Sequence, residues 1–107
     1  MGVISIANEH DVWGASRTFI YSIIEFAIAR ADARAYLLDF KNQFDWGYNA
    51  IGLEGLSDED FLEFASLLQK YVGEKGYSEL SYRASEAEAS LDDLLKRVEA
   101  AKLLRGL

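Results

Sequence analysis

Cysteine and proline are both missing from this chain, and each absence removes a class of structure. Without cysteine there is no disulfide framework, no thiolate zinc site and no thiol nucleophile, so packing has to carry the stability. Without proline, only the eight glycines at positions 2, 14, 47, 52, 55, 73, 76 and 106 interrupt the helical patterns, which leaves three long stretches without a strong breaker. Positive charge is scarce. Eleven Lys and Arg against eighteen Asp and Glu give a net charge of −7, the wrong sign for a direct nucleic-acid binder, whose phosphate contacts need clustered cations. Long apolar runs are lacking too: the longest, Thr18 to Ile24, ends at Glu25, and the first cation is Arg17, so neither a membrane span nor a secretory signal is expected.

Catalytic signatures are also absent. The chain has no G-x-S-x-G elbow, phosphate-binding loop, G-x-G-x-x-G turn or H-E-x-x-H pair. His10 is the single histidine, between Glu9 and Asp11. Adjacent side chains diverge on any regular element, so a solvated tripeptide is expected there rather than a metal or catalytic site. Asp45, Gly47 and Asn49 fail as a calcium loop because Leu56 holds the twelfth position. No catalytic residue, metal or cofactor is expected.

What is present is helical periodicity. At 107 residues, half of them hydrophobic, the chain fits one domain, 1–107, that buries roughly two-thirds of its unfolded surface. Ile20, Ile23, Ile24, Ala27, Ile28, Ala31, Ala35 and Leu38 recur at helical spacing and predict helix from about Ala15 to Asp45, with a kink or a fold-back near Arg30 to Asp32 left open. Its Ala-rich stretch, Ala27 to Ala35, has the highest helix propensity of the chain. Ser57 before Asp60 marks a second helix start, followed by Phe61, Phe64, Ala65, Leu68, Tyr71 and Val72 on one face and ended by Gly73 or Gly76. Ser85 and Glu88 form a Ser-x-x-Glu box before a third helix that carries Leu91, Leu94, Leu95, Val98 and Ala101. Residues 1–14 read as an irregular N-terminal segment with at most a short strand at Val3 to Ile6, 46–56 as an aromatic, glycine-bearing loop, and 76–84 as a polar connector. The expected fold is all-α, a small bundle of three to five helices.

Charge is concentrated in two places. Residues 54–63 hold Glu54, Asp58, Glu59, Asp60 and Glu63, a local charge of −5, and residues 86–93 hold Glu86, Glu88, Asp92 and Asp93, a local charge of −4. Carboxylates in first helical turns stabilise exposed amides and the macrodipole, and this alone accounts for the placement. If the two blocks come together in the bundle, they also form an acidic surface that steers a basic partner. Trp46 and Tyr48 lie just before the first block in a loop loosened by Gly47, Gly52 and Gly55. Such a loop either closes the end of the core, the commoner arrangement in a small bundle, or recognises a partner, and Tyr48 is the member expected to be exposed.

The functional expectation is a small acidic cytoplasmic protein-binding domain of the inhibitor or immunity type, which neutralises a basic partner such as a nuclease toxin. Its partner-binding residues would be Trp46, Tyr48, Glu54, Asp58, Glu59, Asp60 and Glu63. The alternatives are a helical adaptor or regulatory subunit acting as a homo-oligomer, and a small enzyme without a local motif.

Overall fold

The computed structural model of the chain describes residues 2–32, 34–80 and 84–107. Its elements run β1 (Gly2–Ser5), β2 (Val12–Ala15), α1 (Arg17–Arg30), α2 (Ala35–Asp45), β3 (Ala50–Gly52), α3 (Asp58–Gly73) and α4 (Ala84–Leu104). The fold is therefore α+β, four helices with a three-stranded mixed sheet among the described residues, and the all-α expectation is wrong. The strands span only three or four residues, too few for alternation to stand out against helical periodicity. The short strand allowed at Val3 to Ile6 is present as β1, but the rest of the N-terminal segment is not irregular: it contains most of β2, which forms an antiparallel hairpin with β1, Ile4 opposite Trp13. Its turn is made by Asn8, whose Oδ1 accepts from the His10 amide at 2.8 Å and the Asp11 amide at 3.1 Å, as Asn side chains do in tight turns. The loop over 46–56 likewise contains β3, which pairs parallel to β1 with Ile51 opposite Ile4.

The first helical stretch folds back on itself. α1 ends at Arg30, Asp32 adopts a left-handed φ of 53°, and α2 starts at Ala35. The break falls inside the segment of highest helix propensity, because propensity is a weak prior against burial. A single rod would strand the apolar face of its second half, whereas the fold-back buries Tyr36, Leu37, Phe40 and Phe44. Polar side chains fix this antiparallel pair: Arg17 donates to the Phe44 carbonyl at 2.7 Å and Tyr21 to Asp45 at 3.3 Å.

α3 starts as the sequence predicts, with Ser57 Oγ accepting from the Asp60 amide at 3.2 Å. Ser57→Ala should lower stability by about 1 kcal/mol, read as a shift in the urea midpoint at unchanged slope; no shift would mean that the cap bond is not made in solution. The helix ends at Gly73, but the left-handed residue beyond it is Lys75, not a glycine. Gly76 serves close approach instead: a Cβ there would lie 2.4 Å from the Tyr71 ring. α4 already includes Ala84, so Ser85 stands inside the first turn and not at its cap, and Glu88 Oε1 is taken by the Tyr77 hydroxyl at 2.9 Å. The expected 76–84 connector falls partly on residues 81–83, outside the described residues; Tyr77 within it is buried.

On the inner face of the sheet, Ile4, Trp13 and Ile51 are buried. Gly2 lies there too, where a Cβ would meet Ile20 at 2.9 Å and Phe44 at 3.4 Å, so this face packs on α1 and α2. Two aromatic groups anchor the core. Phe19, Phe26 and Tyr77 surround Tyr71 at centroid distances of 5.3 to 6.4 Å. Tyr36, Phe40 and Phe64 meet edge to face at 5.9 to 6.5 Å.

Candidate functional site

Helix polarity decides the fate of the acidic blocks. Asp58, at the start of α3, pairs with Arg105 beyond the end of α4 at 3.0 Å, while Tyr77, beyond the end of α3, bonds Glu88 near the start of α4. The two helices thus run antiparallel. From Asp93 to Arg105, α4 covers about 18 Å at ~1.5 Å per residue, so the blocks lie apart and do not merge into one acidic surface.

Most carboxylates of the first block are also engaged within the fold. Glu59 and Glu63 pair with Arg34 at 3.5 and 3.3 Å, and Glu63 Oε1 also accepts from the Tyr36 hydroxyl at 2.8 Å. Glu54 accepts from Ser5 Oγ at 2.7 Å. Asp60 contributes its amide to the Ser57 cap, and no ion pair to its carboxylate is seen among the described residues. In the second block, Asp92 pairs with Lys96 and Asp93 with Arg97 at 2.9 and 3.1 Å. These pairs are solvated and weak individually, but they reduce the charge left to steer a partner.

Trp46 and Tyr48 differ from the rest. Their side chains are 75% and 63% exposed, so both aromatics, Trp46 more than Tyr48, stand outside the core. They belong to a tightly bonded turn: the Trp46 amide donates to the Asn42 carbonyl at 2.9 Å, the Gly47 amide to Phe44 at 3.0 Å and the Tyr48 amide to Gln43 at 3.0 Å. Gly47 has a φ of 94°, a left-handed conformation that glycine adopts without strain. Arg17 braces the corner from below, with Nη1 on Asn49 Oδ1 at 2.6 Å, Nη2 on the Phe44 carbonyl, and its guanidinium 5.0 Å from the Phe44 ring centre. Gln43, Trp46, Tyr48, Asn49 and Ala50 line an open groove of about 390 Å³.

The sequence-predicted residues do not all fall in one site: Asp58, Glu59 and Glu63 are drawn to Arg105 and Arg34, away from the aromatic corner. Trp46 and Tyr48 precede β3, whereas Glu54, Asp58, Glu59, Asp60 and Glu63 follow it. Arg34, which gathers Glu59 and Glu63, precedes α2, and Trp46 follows it, about 18 Å away at ~1.5 Å per residue. The acidic residues that accompany the corner are Asp45, bonded to the Tyr21 hydroxyl, and Glu25, 3.9 Å from Lys41. Arg17 and Tyr21 went unselected in the sequence; their only signal was a position four residues apart on a helix that, once folded back, faces the 44–49 turn.

Burial also sets the tyrosines. Tyr36 and Tyr71 are held above the ordinary value of 10.0, first by desolvation and, for Tyr36, also by the Glu63 carboxylate. A folded state that resists ionisation keeps this stability in full below pH 10 and loses it as pH rises, because the unfolded chain ionises first. Urea melts between about pH 8 and about pH 11 should show a falling midpoint. The Tyr36→Phe, Tyr71→Phe double variant should show a shallower fall, and equal slopes would contradict the assignment.

Among the described residues there is no group of three His, Cys, Asp or Glu side chains placed to hold a metal ion. None of the described helices is long and apolar enough to cross a membrane. Comparison of the chain with protein-family models, curated proteins and solved structures gave no match.

Proposed function

We propose that this chain is a cytoplasmic protein-binding domain of the inhibitor or immunity type, which recognises a basic partner through the Trp46–Tyr48 corner. The observation that carries the reading is the pairing of two large aromatic side chains, both mostly in solvent, on a turn held by three backbone hydrogen bonds and an arginine brace. Exposed Trp and Tyr on a rigid support bury large area at low entropic cost, as binding hot spots do. The net charge of −7 supports a basic partner, through the long-range field rather than through one merged acidic face.

The test is co-purification from the native host at about 50 mM and about 500 mM salt, a range over which surface charge is progressively screened. A basic protein should be retained by the wild type at low salt and largely released at high salt, and Trp46→Ala, Tyr48→Ala should retain little at either. Recovery of acidic or neutral proteins only, or undiminished retention by the double variant, would overturn the reading.

One observation favours a second reading, an oligomeric adaptor. Leu103 and Leu104, at the end of α4, are 74% and 79% exposed and adjacent, an apolar pair that a second copy would cover. Light scattering at micromolar concentration separates the two: a 12.0 kDa species favours the binder, and a larger mass reduced by Leu103→Ser, Leu104→Ser favours the adaptor.

A further inference from the structure

The two edges of the sheet are treated differently. The edge of β2 is obstructed by α4: Arg97 Nη1 donates to the Val12 carbonyl at 3.2 Å while its Nε holds Asp93, and Trp13 Nε1 reaches the Ser90 carbonyl at 2.9 Å. On the other side, the Val3 amide donates to the Asn49 carbonyl and the Leu53 amide to the Ser5 carbonyl, both at 2.8 Å, with Val3 opposite Ala50 and Ser5 opposite Gly52. Backbone groups alternate between the edges of a strand, so residues 49, 51 and 53 bond toward β1. The amides and carbonyls of Ala50 and Gly52 therefore point outward. The order β2-β1-β3 places no strand of the described residues on that side. Natural sheets usually obstruct such edges because they template pairing with another chain.

What surrounds this edge indicates what it takes. Trp46 and Tyr48 stand at its start, where exposed aromatic faces attract cations and cover extended side chains. Glu54 stands at its end, with its carboxylate 2.9 Å from where a Gly52 Cβ would be, so that glycine keeps the carboxylate close against the strand. Glu54 and Asp45 are each bonded to a neutral hydroxyl, on Ser5 and Tyr21, with no ion pair among the described residues. The nearby cations have their terminal nitrogens occupied elsewhere: Arg17 beside the corner bonds Asn49 and the Phe44 carbonyl, and Arg105 beside Glu54 bonds the Leu53 and Leu56 carbonyls and Asp58. The edge thus combines free main-chain groups, an aromatic corner and unneutralised carboxylates.

We infer that the outer edge of β3 is a strand-addition site, where an extended segment of the partner carrying Lys or Arg pairs with Ala50 and Gly52 between Trp46 and Glu54. This rests on the reading of the chain as a binder of a basic partner and specifies its mode: main-chain bonds supply affinity, and alternate side chains supply selectivity.

The probe is a pool of hexapeptides that alternate Lys with Val, Ile, Thr or Tyr, mixed with the full chain at low salt. The best binders should slow hydrogen exchange at the Ala50 and Gly52 amides and shift the emission of Trp46, which Trp46→Phe identifies. Ala50→Pro removes an amide that the fold does not use, so it should melt near the wild type and weaken binding by about tenfold or more. Methylating the backbone nitrogens of the peptide at alternate residues should weaken it similarly, and that arm decides the matter should Ala50→Pro fail to fold. The inference is overturned if no member of the pool protects these amides, if binding ignores both changes, or if the amides are already protected in a peptide-free dimer. A basic partner that needs Trp46 but binds Ala50→Pro undiminished would end strand addition alone and leave the binder reading standing. Loss of all basic partners would end both.

Discussion

Phe64→Ala is expected to cost about 3 to 5 kcal/mol of folding stability, within the range for large aromatic truncations in cores. Phe64 is 1% exposed and lies between Tyr36 and Phe40 at centroid distances of 6.5 and 5.9 Å. Truncation removes the transfer free energy of the ring, leaves a cavity between α2 and α3, and forfeits two edge-to-face contacts. At about 4 to 8 °C per kcal/mol for a domain of this size, the melting point should fall by about 12 °C or more. A cost under about 1 kcal/mol would mean that α2 does not pack on α3 as described.

Arg105→Ala should be the largest effect of any substitution outside the apolar core, about 3 kcal/mol. This side chain, 19% exposed, ties the end of α4 to the segment between β3 and α3. Nη1 donates to the Leu56 carbonyl at 2.8 Å and to Asp58 at 3.0 Å, Nη2 donates to the Leu53 carbonyl at 3.0 Å, and the guanidinium lies 4.3 Å from the Phe61 ring centre. The Asp58 arm is solvated and contributes little. The weight falls on two backbone carbonyls that lose a charged donor, and on the ring contact. Arg105→Lys should recover only part, because one ammonium cannot reproduce a planar fork that reaches two carbonyls. Urea unfolding of both variants checks this, and a loss below about 0.5 kcal/mol for Arg105→Ala would show that the clasp is not closed in solution.

These two residues also mark how much of the molecule was legible in sequence. Phe64 was, because α3 combines a serine cap with a continuous apolar stripe, and the serine cap and the stripe point to the same element. The start of α3 follows from local pattern, and its end falls at Gly73, the first of the two glycines expected to stop it. Arg105 was not legible, since its acceptors lie about fifty residues away and are mostly backbone carbonyls, which no side-chain pattern reveals. Apart from the short strand allowed at Val3 to Ile6, the sheet was missed for a related reason. β3 is three residues among glycines, and it becomes a strand only because β1, some fifty residues earlier, offers its edge. Long-range pairing of this kind overrides weak local preference.

The candidate site divides in the same way. Counting charge located two acidic blocks correctly in sequence but could not show that antiparallel helices would separate them, or that Arg34 and Arg105 would engage three of the five carboxylates in the first. Trp46 and Tyr48 were found from residue type alone. Their exposure follows from the 46–49 turn, which is held by backbone bonds to the end of α2 and leaves the rings outside.

The most direct test of the account is a hydrogen-exchange footprint of this chain bound to the basic partner recovered at low salt. The account expects new protection concentrated over residues 46–52, spanning the aromatic corner and β3. Protection confined to the first turns of α3 and α4, with 46–52 exchanging as in the free chain, would contradict it and would assign recognition to the acidic helix starts instead.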